Sequence, residues 1–396
     1  MSLGGTASRR ETAAISGVLF LCLFAAQAGL IALSPVLADV ARDLDVSTAV
    51  AGQLRTVAGI AAGVTALAFG PVGRRVGLGG QLLAGSALVA SGSAASAAAP
   101  SLALLALAQV PVGAGVAVLT TAGTVAAAAW APPEQRTRVL SWALVGQPAA
   151  WIVGMPLVGV VGGHSWRYAW LVLPLVASVL AGAAVLRRAT EPPARTPAAP
   201  LRRALADRTI ARWLTAELLA NTAWAGTLVY SGALFVESYG ASTRLTGVVL
   251  ALAAAAYVAG NLASRRLAGK SATHLLPMLL LALAASTALF GSVRPSLLIS
   301  TLLFSAAAFA AGARTLISNA AALSSPPELR PAAMAARSAS MQFGYFVGSL
   351  VGGAALTAGG YRAFGLVVGS VFVAAAAALT PVPGLVRESL SAPDPA

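Results

Sequence analysis

One carboxylate stands well inside a long apolar run of this chain. Glu217 lies in the run 213–236, and Asn221 and Trp224 follow it at i+4 and i+7, so all three share one helix face. Ionised groups in such runs are rare and need a reason to be there, and a carboxylate so placed is a site where a proton can be taken up and released. Arg314 sits deep in another apolar run, 297–323, about ten residues or roughly 15 Å from its end at about 1.5 Å per residue. Its guanidinium is suited to stabilise the charged form of Glu217 or to hold an anionic group of a solute. A static ion pair is the competing reading. So is a Glu217 that snorkels to water or pairs with Arg212, because it stands only about 6 Å along the helix from Trp213.

A second group of charges, Asp39, Arg42, Asp43 and Asp45, follows the first apolar run, and Arg55 lies about one turn into the second. Asp39 with Arg55 would make a gate or a proton entry point; a solvated loop with a helix-end arginine is the alternative. Other chemistries find no residues. His164 and His274 are far apart and lack Cys or acidic companions at ligand spacing, so no metal is expected. Gly-rich 70–80 lacks the Lys-Ser/Thr that would hold phosphate, and no nucleophile with a base appears, so neither an enzyme nor a nucleotide cofactor is expected. Cys22 is alone and forms no intramolecular disulfide.

The elements that must position these groups follow from composition. Of 396 residues 58% are hydrophobic and only 10% charged, with mean hydropathy +0.82. A soluble domain needs about 25% charged residues to cover its surface, so the solvent around this chain is lipid. That excludes a secreted disulfide scaffold, a disordered chain and a cytosolic enzyme. Spans of about 20 residues are predicted at 13–37, 50–69, 78–99, 102–129, 139–161, 168–186, 213–236, 246–263, 275–290, 297–323, 334–357 and 363–379, twelve in all. The formal charge of +14 sits in short loops, where it orients a membrane protein rather than binding nucleic acid. With a cytoplasmic amino terminus, 19 basic residues fall on the cytoplasmic side and 6 on the other, with Arg314 left in a span. Both termini are therefore placed in the cytoplasm, and the first span is expected to remain uncleaved.

The chain also repeats itself. Pro132-Pro133-Glu134-Gln135-Arg136 returns as Pro326-Pro327-Glu328-Leu329-Arg330, an offset of 194, and Val153-Gly154 and Gly159 return as Val347-Gly348 and Gly353 at the same offset. A Pro-rich, Arg-rich stretch divides the copies. The expected organisation is a six-helix bundle over 1–186, a cytoplasmic linker over 187–212 and a second six-helix bundle over 213–396, a parallel repeat suited to rocking about a shared site.

Several motifs sharpen this reading. The loop Gly70-Pro71-Val72-Gly73-Arg74-Arg75-Val76-Gly77 corresponds to the pattern G-x-L-A-D-R-x-G-R-K: Gly70, Arg75 and Gly77 match, while Arg74 occupies the acidic position. A fainter copy runs from Gly260 to Arg265, with Ser264 in place of the acid. Gly146, Gly154, Pro156 and Gly159 resemble the antiporter signature G-x-x-x-G-P-x-x-G-G, and Trp166-Arg167 follows. With these motifs the chain resembles the major facilitator superfamily over essentially its full length. Within that superfamily it is most similar to bacterial twelve-span drug:proton antiporters and arabinose-efflux-type permeases.

The resemblance implies an all-α membrane fold of two six-helix bundles whose spans one, four, seven and ten line a central cavity, so that Glu217 and Arg314 would face it. The proton-coupling candidates are Glu217 and Asp39; the first span, which often carries an acid in the antiporters, offers only Gln27 and Ser34. Gln109 stands where relatives commonly place an Arg. The cavity candidates are Gln27, Gln109, Thr120, Thr121, Gln147, Trp151, Asn221, Trp224, Tyr230, Arg314, Gln342 and Tyr345, a mostly neutral lining that suits an amphiphilic or weakly charged compound, although any one of them is equally an interhelical hydrogen bonder. Gly70, Arg74, Arg75, Gly77 and Arg265, with Gly154 and Pro156, are the loop and gating candidates. The expected activity is secondary active export of a small molecule, driven by proton entry across the inner (plasma) membrane, by a monomer without a cofactor. The alternatives are movement of a small polar or anionic solute without a proton, and a non-transporting sensor.

Overall fold

The structure, a computed structural model, describes residues 3–72, 76–187, 205–266, 272–323 and 329–379. Its elements are α1 (Leu3–Ile31), α2 (Leu33–Asp43), α3 (Thr48–Gly52), α4 (Leu54–Val72), α5 (Leu78–Ala98), α6 (Leu102–Trp130), α7 (Arg136–Gly162), α8 (Trp166–Trp170), a π turn (Leu171–Leu175), α9 (Val176–Leu186), α10 (Arg208–Tyr239), α11 (Thr243–Ala263), α12 (Ala272–Ser292), α13 (Leu297–Leu323) and α14 (Arg330–Leu379). Among the described residues there is no strand. This follows from the solvent: in lipid the backbone must satisfy its own hydrogen bonds, and a helix does so within one segment.

Each of the twelve expected segments falls on helix, with local breaks that have causes. Pro174 lacks an N–H and its ring crowds the preceding turn, and there the sixth segment loosens into the π turn. The last two segments run into one another through α14, parted at Gly359 and Gly360. Gly360 has φ 61° and ψ −159°, a conformation open essentially to glycine alone. Among the described residues, eight helical segments are long and apolar enough to cross a membrane, and one of them, Ala332–Leu379, takes in two expected spans. α5 and α10 fall short of that measure; Gly and Ser dilute α5, and Thr, Asn and Glu dilute α10. α10 also begins earlier than predicted. Asp207 Oδ1 accepts from the backbone N–H groups of Thr209 and Ile210, each at 2.9 Å, and this cap starts the helix at Arg208, inside the stretch read as linker. Residues 188–204 of that stretch lie outside the described residues.

The chain forms two compact units, one of residues 1–197 and 229–252, the other of 198–228 and 253–396. In the first, α1 packs on α6 and α7, α4 on α6, and α5 on α6 and α9. In the second, α12 packs on α13 and α14. Large apolar side chains such as Leu107, Trp142, Leu186, Met278 and Leu298 point outward, more apolar surface than a water-soluble protein leaves uncovered. Inside, small residues bring backbones together, as they must where lipid removes the hydrophobic drive for helix association. A Cβ at Gly113 would strike the backbone of Ala58 in the first unit, and one at Gly312 would strike that of Tyr257 in the second. Replacing Gly312 by Leu therefore forces α11 and α13 apart. The expected cost is about 1–3 kcal/mol, read as a lower melting temperature in detergent, whereas Gly17→Ala, with open space around it, leaves the melting temperature unchanged.

Candidate functional site

The second unit holds a buried charge cluster built from three helices. α10 supplies Glu217 and, one turn on, Asn221; α13 supplies Arg314 and, one turn on, Ser318; α14 supplies Arg337. Glu217 and Arg314 are each 3% exposed and Arg337 6%. Arg314 Nη1 donates to Glu217 Oε1, and Arg314 Nη2 donates to Asn221 Oδ1 at 3.1 Å. Arg337 Nε stands 3.1 Å from Glu217 Oε2. The Ser318 hydroxyl accepts from Trp213 Nε1 at 3.0 Å. Glu217 is the one buried carboxylate among the described residues, against the buried cations Arg55, Arg314 and Arg337.

An apolar layer closes the Arg208 end of this cluster. Ile210, Trp213, Leu214, Ala332 and Ala333 pack together, with Leu329 and Met334 against them. Glu217 therefore does not reach water at that end. Arg212 is not its partner either: the Arg212 Nε donates to the Ala378 carbonyl at 3.4 Å. Trp213 is the largest piece of this seal, so Trp213→Ala should both destabilise the chain, by about 3–5 kcal/mol for a large-to-small change in a packed site, and open a water path to the carboxylate. The measurement is substrate-independent acidification of proteoliposomes under an imposed pH gradient. It rises in Trp213→Ala and stays at the native level in Trp213→Phe.

The structure brings Glu217, Asn221 and Arg314 together and adds Arg337, which sequence reasoning counted among the loop charges. The signal was weak but present: Arg337 lies three residues inside an expected span, and only the contact across helices shows that it points inward. Trp224, on the face of Glu217 and Asn221, stacks against Tyr257 and Phe304, with ring centroids 6.4 Å away in each case. Gln342 and Tyr345 on α14, and Gln27, Gln147 and Trp151 in the first unit, are half-buried.

Other residues singled out earlier serve packing or closure. Gln109 is fully buried and donates to Ser96 Oγ at 2.9 Å, tying α6 to α5. Tyr230 is fully buried in the first unit: its hydroxyl donates to the Ala49 carbonyl and accepts from Gln53 Nε2, both at 3.3 Å, and its ring occupies the space that a Cβ at Gly52 would need. Asp39 is joined not to Arg55 but to Arg42, whose Nη1 donates at 3.1 Å, and to Thr243, whose hydroxyl donates at 2.6 Å. These residues edge a cavity of about 580 Å³ that also meets His164 and Arg244. Thr48 donates to Glu237 close by. Gly154 abuts Ile31 and Leu173, so a Cβ there would come within 3.0 and 2.8 Å, and Pro156 follows inside α7. Gly70 ends within α4 and Gly77 precedes α5, while Arg74 and Arg75 lie outside the described residues. Arg265 is exposed, and the Ser264 hydroxyl turns back to the Gly260 carbonyl at 2.7 Å. Among the described residues no three His, Cys, Asp or Glu side chains gather as a metal site.

The sequence pattern of the Major Facilitator Superfamily matches residues 19–304. No curated protein matches the chain by sequence. Among solved structures, a D-xylose-proton symporter superposes with a TM-score of 0.76 at 16% identity, covering 95% of this chain and 99% of that one. A nucleoside transporter gives a TM-score of 0.75 at 14% identity over 92% and 98%. A bacterial homologue of the human lysosomal transporter Spinster, inward-facing and unoccupied, gives 0.70 at 14% identity over 94% of each chain. At these identities the likeness establishes the fold, and the matched sequence pattern covers well over half of the chain. The chain belongs to the Major Facilitator Superfamily: it is a multi-pass membrane transporter and not an enzyme.

Proposed function

We propose that this chain is a proton-coupled exporter of a small amphiphilic compound, working by alternating access, with Glu217 as the group that carries the proton. It works as a monomer in the inner membrane with both termini in the cytoplasm. Its twelve spans form bundles over 1–186 and 213–396, joined by a linker over 187–212. One observation supports the role of Glu217: the charge cluster has no counterpart at the positions the sequence repeat assigns to it. At the repeat offset of 194, Glu217, Arg314 and Arg337 fall on Leu23, Thr120 and Ala143, and no charged residue lies within one helical turn of those three. Leu23 and Ala143 are fully buried. Packing at those positions is thus met without charge, and a cluster that costs desolvation without being needed for packing is kept for another purpose.

Protonation of Glu217 frees it from Arg314 and Arg337, and its loss restores the pair. That exchange gives the bundle two discrete arrangements, which is what coupling requires. The fold has room for such chemistry, since it also serves a D-xylose-proton symporter. The test uses everted vesicles with an imposed pH gradient, a panel of drugs and sugars, and an uncoupler. Accumulation of a panel compound that collapses with uncoupler supports the proposal; accumulation indifferent to uncoupler removes proton coupling.

A further inference from the structure

The cluster is unbalanced. One carboxylate faces two guanidiniums, so the described buried groups of the second unit carry a surplus of one positive charge, and Glu217 is the one buried carboxylate among the described residues. The hydrogen-bond count is unbalanced in the same direction. Each guanidinium carries several N–H donors in a fixed fork and accepts nothing. Arg314 uses two of its nitrogens, on Glu217 and Asn221, while its Nε and the Asn221 Nδ2 are buried and make no hydrogen bond within the described residues. Arg337 Nη1 meets only the Met341 sulfur, at 3.9 Å, a weak acceptor. Surplus charge and surplus donors call for the same thing, an acceptor that is itself an anion, and planar guanidinium forks match carboxylate or phosphate oxygens.

The surroundings describe the rest of that ligand. Trp224 follows Asn221 on the same helix face, about 10 Å along the axis from Glu217 at about 1.5 Å per residue. It begins an aromatic row, stacked with Phe304, which in turn stacks with Phe290 at 5.3 Å. A charged end and the half-buried Trp224 ring at that separation fit a solute with an anionic head and a flat apolar body.

Resting on the transport reading above, we infer that the solute is an organic monoanion, and that its carboxylate or sulfonate binds Arg337 and Arg314 so as to bring the cluster to neutrality. Glu217 stays paired while the anion takes the unused donors. The empty protein therefore carries an uncompensated charge that the loaded protein does not.

Two measurements on the purified full-length chain test this. In the first, melting temperature is followed without ligand. Arg337→Gln removes the surplus charge and leaves Glu217 with Arg314, so it melts several degrees above the native chain; a lower melting temperature means that Arg337 is a structural partner and overturns the inference. In the second, 2-naphthoate, 2-naphthalenesulfonate and the neutral 2-naphthamide are titrated into the native chain, Arg337→Gln and Arg337→Lys. One charge-assisted bond sets the scale, so an anion binds the native chain about tenfold or more tighter than the amide. Arg337→Gln loses that preference, and Arg337→Lys keeps part of it. Equal binding of anion and amide, preference retained in Arg337→Gln, or no shift with either anion overturns the inference. Flux of the same compounds in proteoliposomes is read separately. Flux of the amide but not of the anions sinks the anion assignment and leaves transport standing; anion-selective binding without flux of any compound sinks the transport reading instead.

Discussion

Glu217→Gln loses solute-driven proton movement while the chain still folds, and Glu217→Ala loses both. The difference lies in what each leaves around the arginines. Glu217 is the only carboxylate facing Arg314 and Arg337 among the described residues, so any neutral replacement strands two buried guanidiniums. Removing one partner of a buried ion pair typically costs about 3–5 kcal/mol, a large share of a marginal stability of about 5–15 kcal/mol. Gln keeps the side-chain shape and an oxygen that accepts from Arg314, and so recovers part of that loss; Ala adds a cavity and offers no acceptor. Melting temperature in detergent should therefore fall in the order native, Gln, Ala. A double variant, Glu217→Gln with Arg337→Gln, leaves fewer stranded charges and regains melting temperature over Glu217→Gln alone. It does not regain proton movement, because the titrating group is gone. A double variant that recovers coupled flux would move the proton site elsewhere.

Replacing Arg314 acts mostly on transport. Arg314 bridges Glu217 and Asn221, and Arg314→Gln leaves Glu217 balanced one to one by Arg337 at 3.1 Å. The fold therefore survives better than in Glu217→Ala. What disappears is the bridge that ties α13 to α10. Hydrogen bonds to charged groups are worth about 1.5–3 kcal/mol, so if that bridge is remade in each cycle, transport falls roughly 10–150-fold. Arg314→Lys keeps the charge but presents a point donor instead of a fork, and recovers only part of the rate. Initial rates of solute flux in proteoliposomes, compared with melting temperatures of the same preparations, separate this from a simple loss of folded protein.

Much of the architecture was legible because lipid imposes it. The charge-poor composition and the apolar runs required helices. The finer count was harder: α5 and α10 carry enough Gly, Ser, Thr and Asn to weaken the apolar signal, and Asp207 caps α10 at a point where Pro and Arg suggested only linker. The site was legible in part. Glu217 and Arg314 stood out because charge in an apolar run is costly wherever the helix turns. Arg337 did not, because near a helix end an arginine is as well explained by the membrane surface.

The neutral residues show the limit most clearly. On helices that are apolar all round, periodicity marks no inward face. Nothing in the sequence separates Gln109, which is bonded to Ser96, from Trp224, which lies beside the cluster. Tyr230 is similar: its hydroxyl suggests a cavity wall, but Gly52 makes room for the ring and Ala49 accepts the hydrogen bond. Such assignments depend on which helices touch, information that resides in the tertiary arrangement.

The most direct test of the account follows luminal pH in proteoliposomes holding either the native chain or Glu217→Gln, with transported compound added on one side under an imposed gradient. Compound-dependent proton flux is expected in the native chain and none in Glu217→Gln, with exchange of labelled for unlabelled compound persisting in both. Equal proton flux in the two preparations would contradict it.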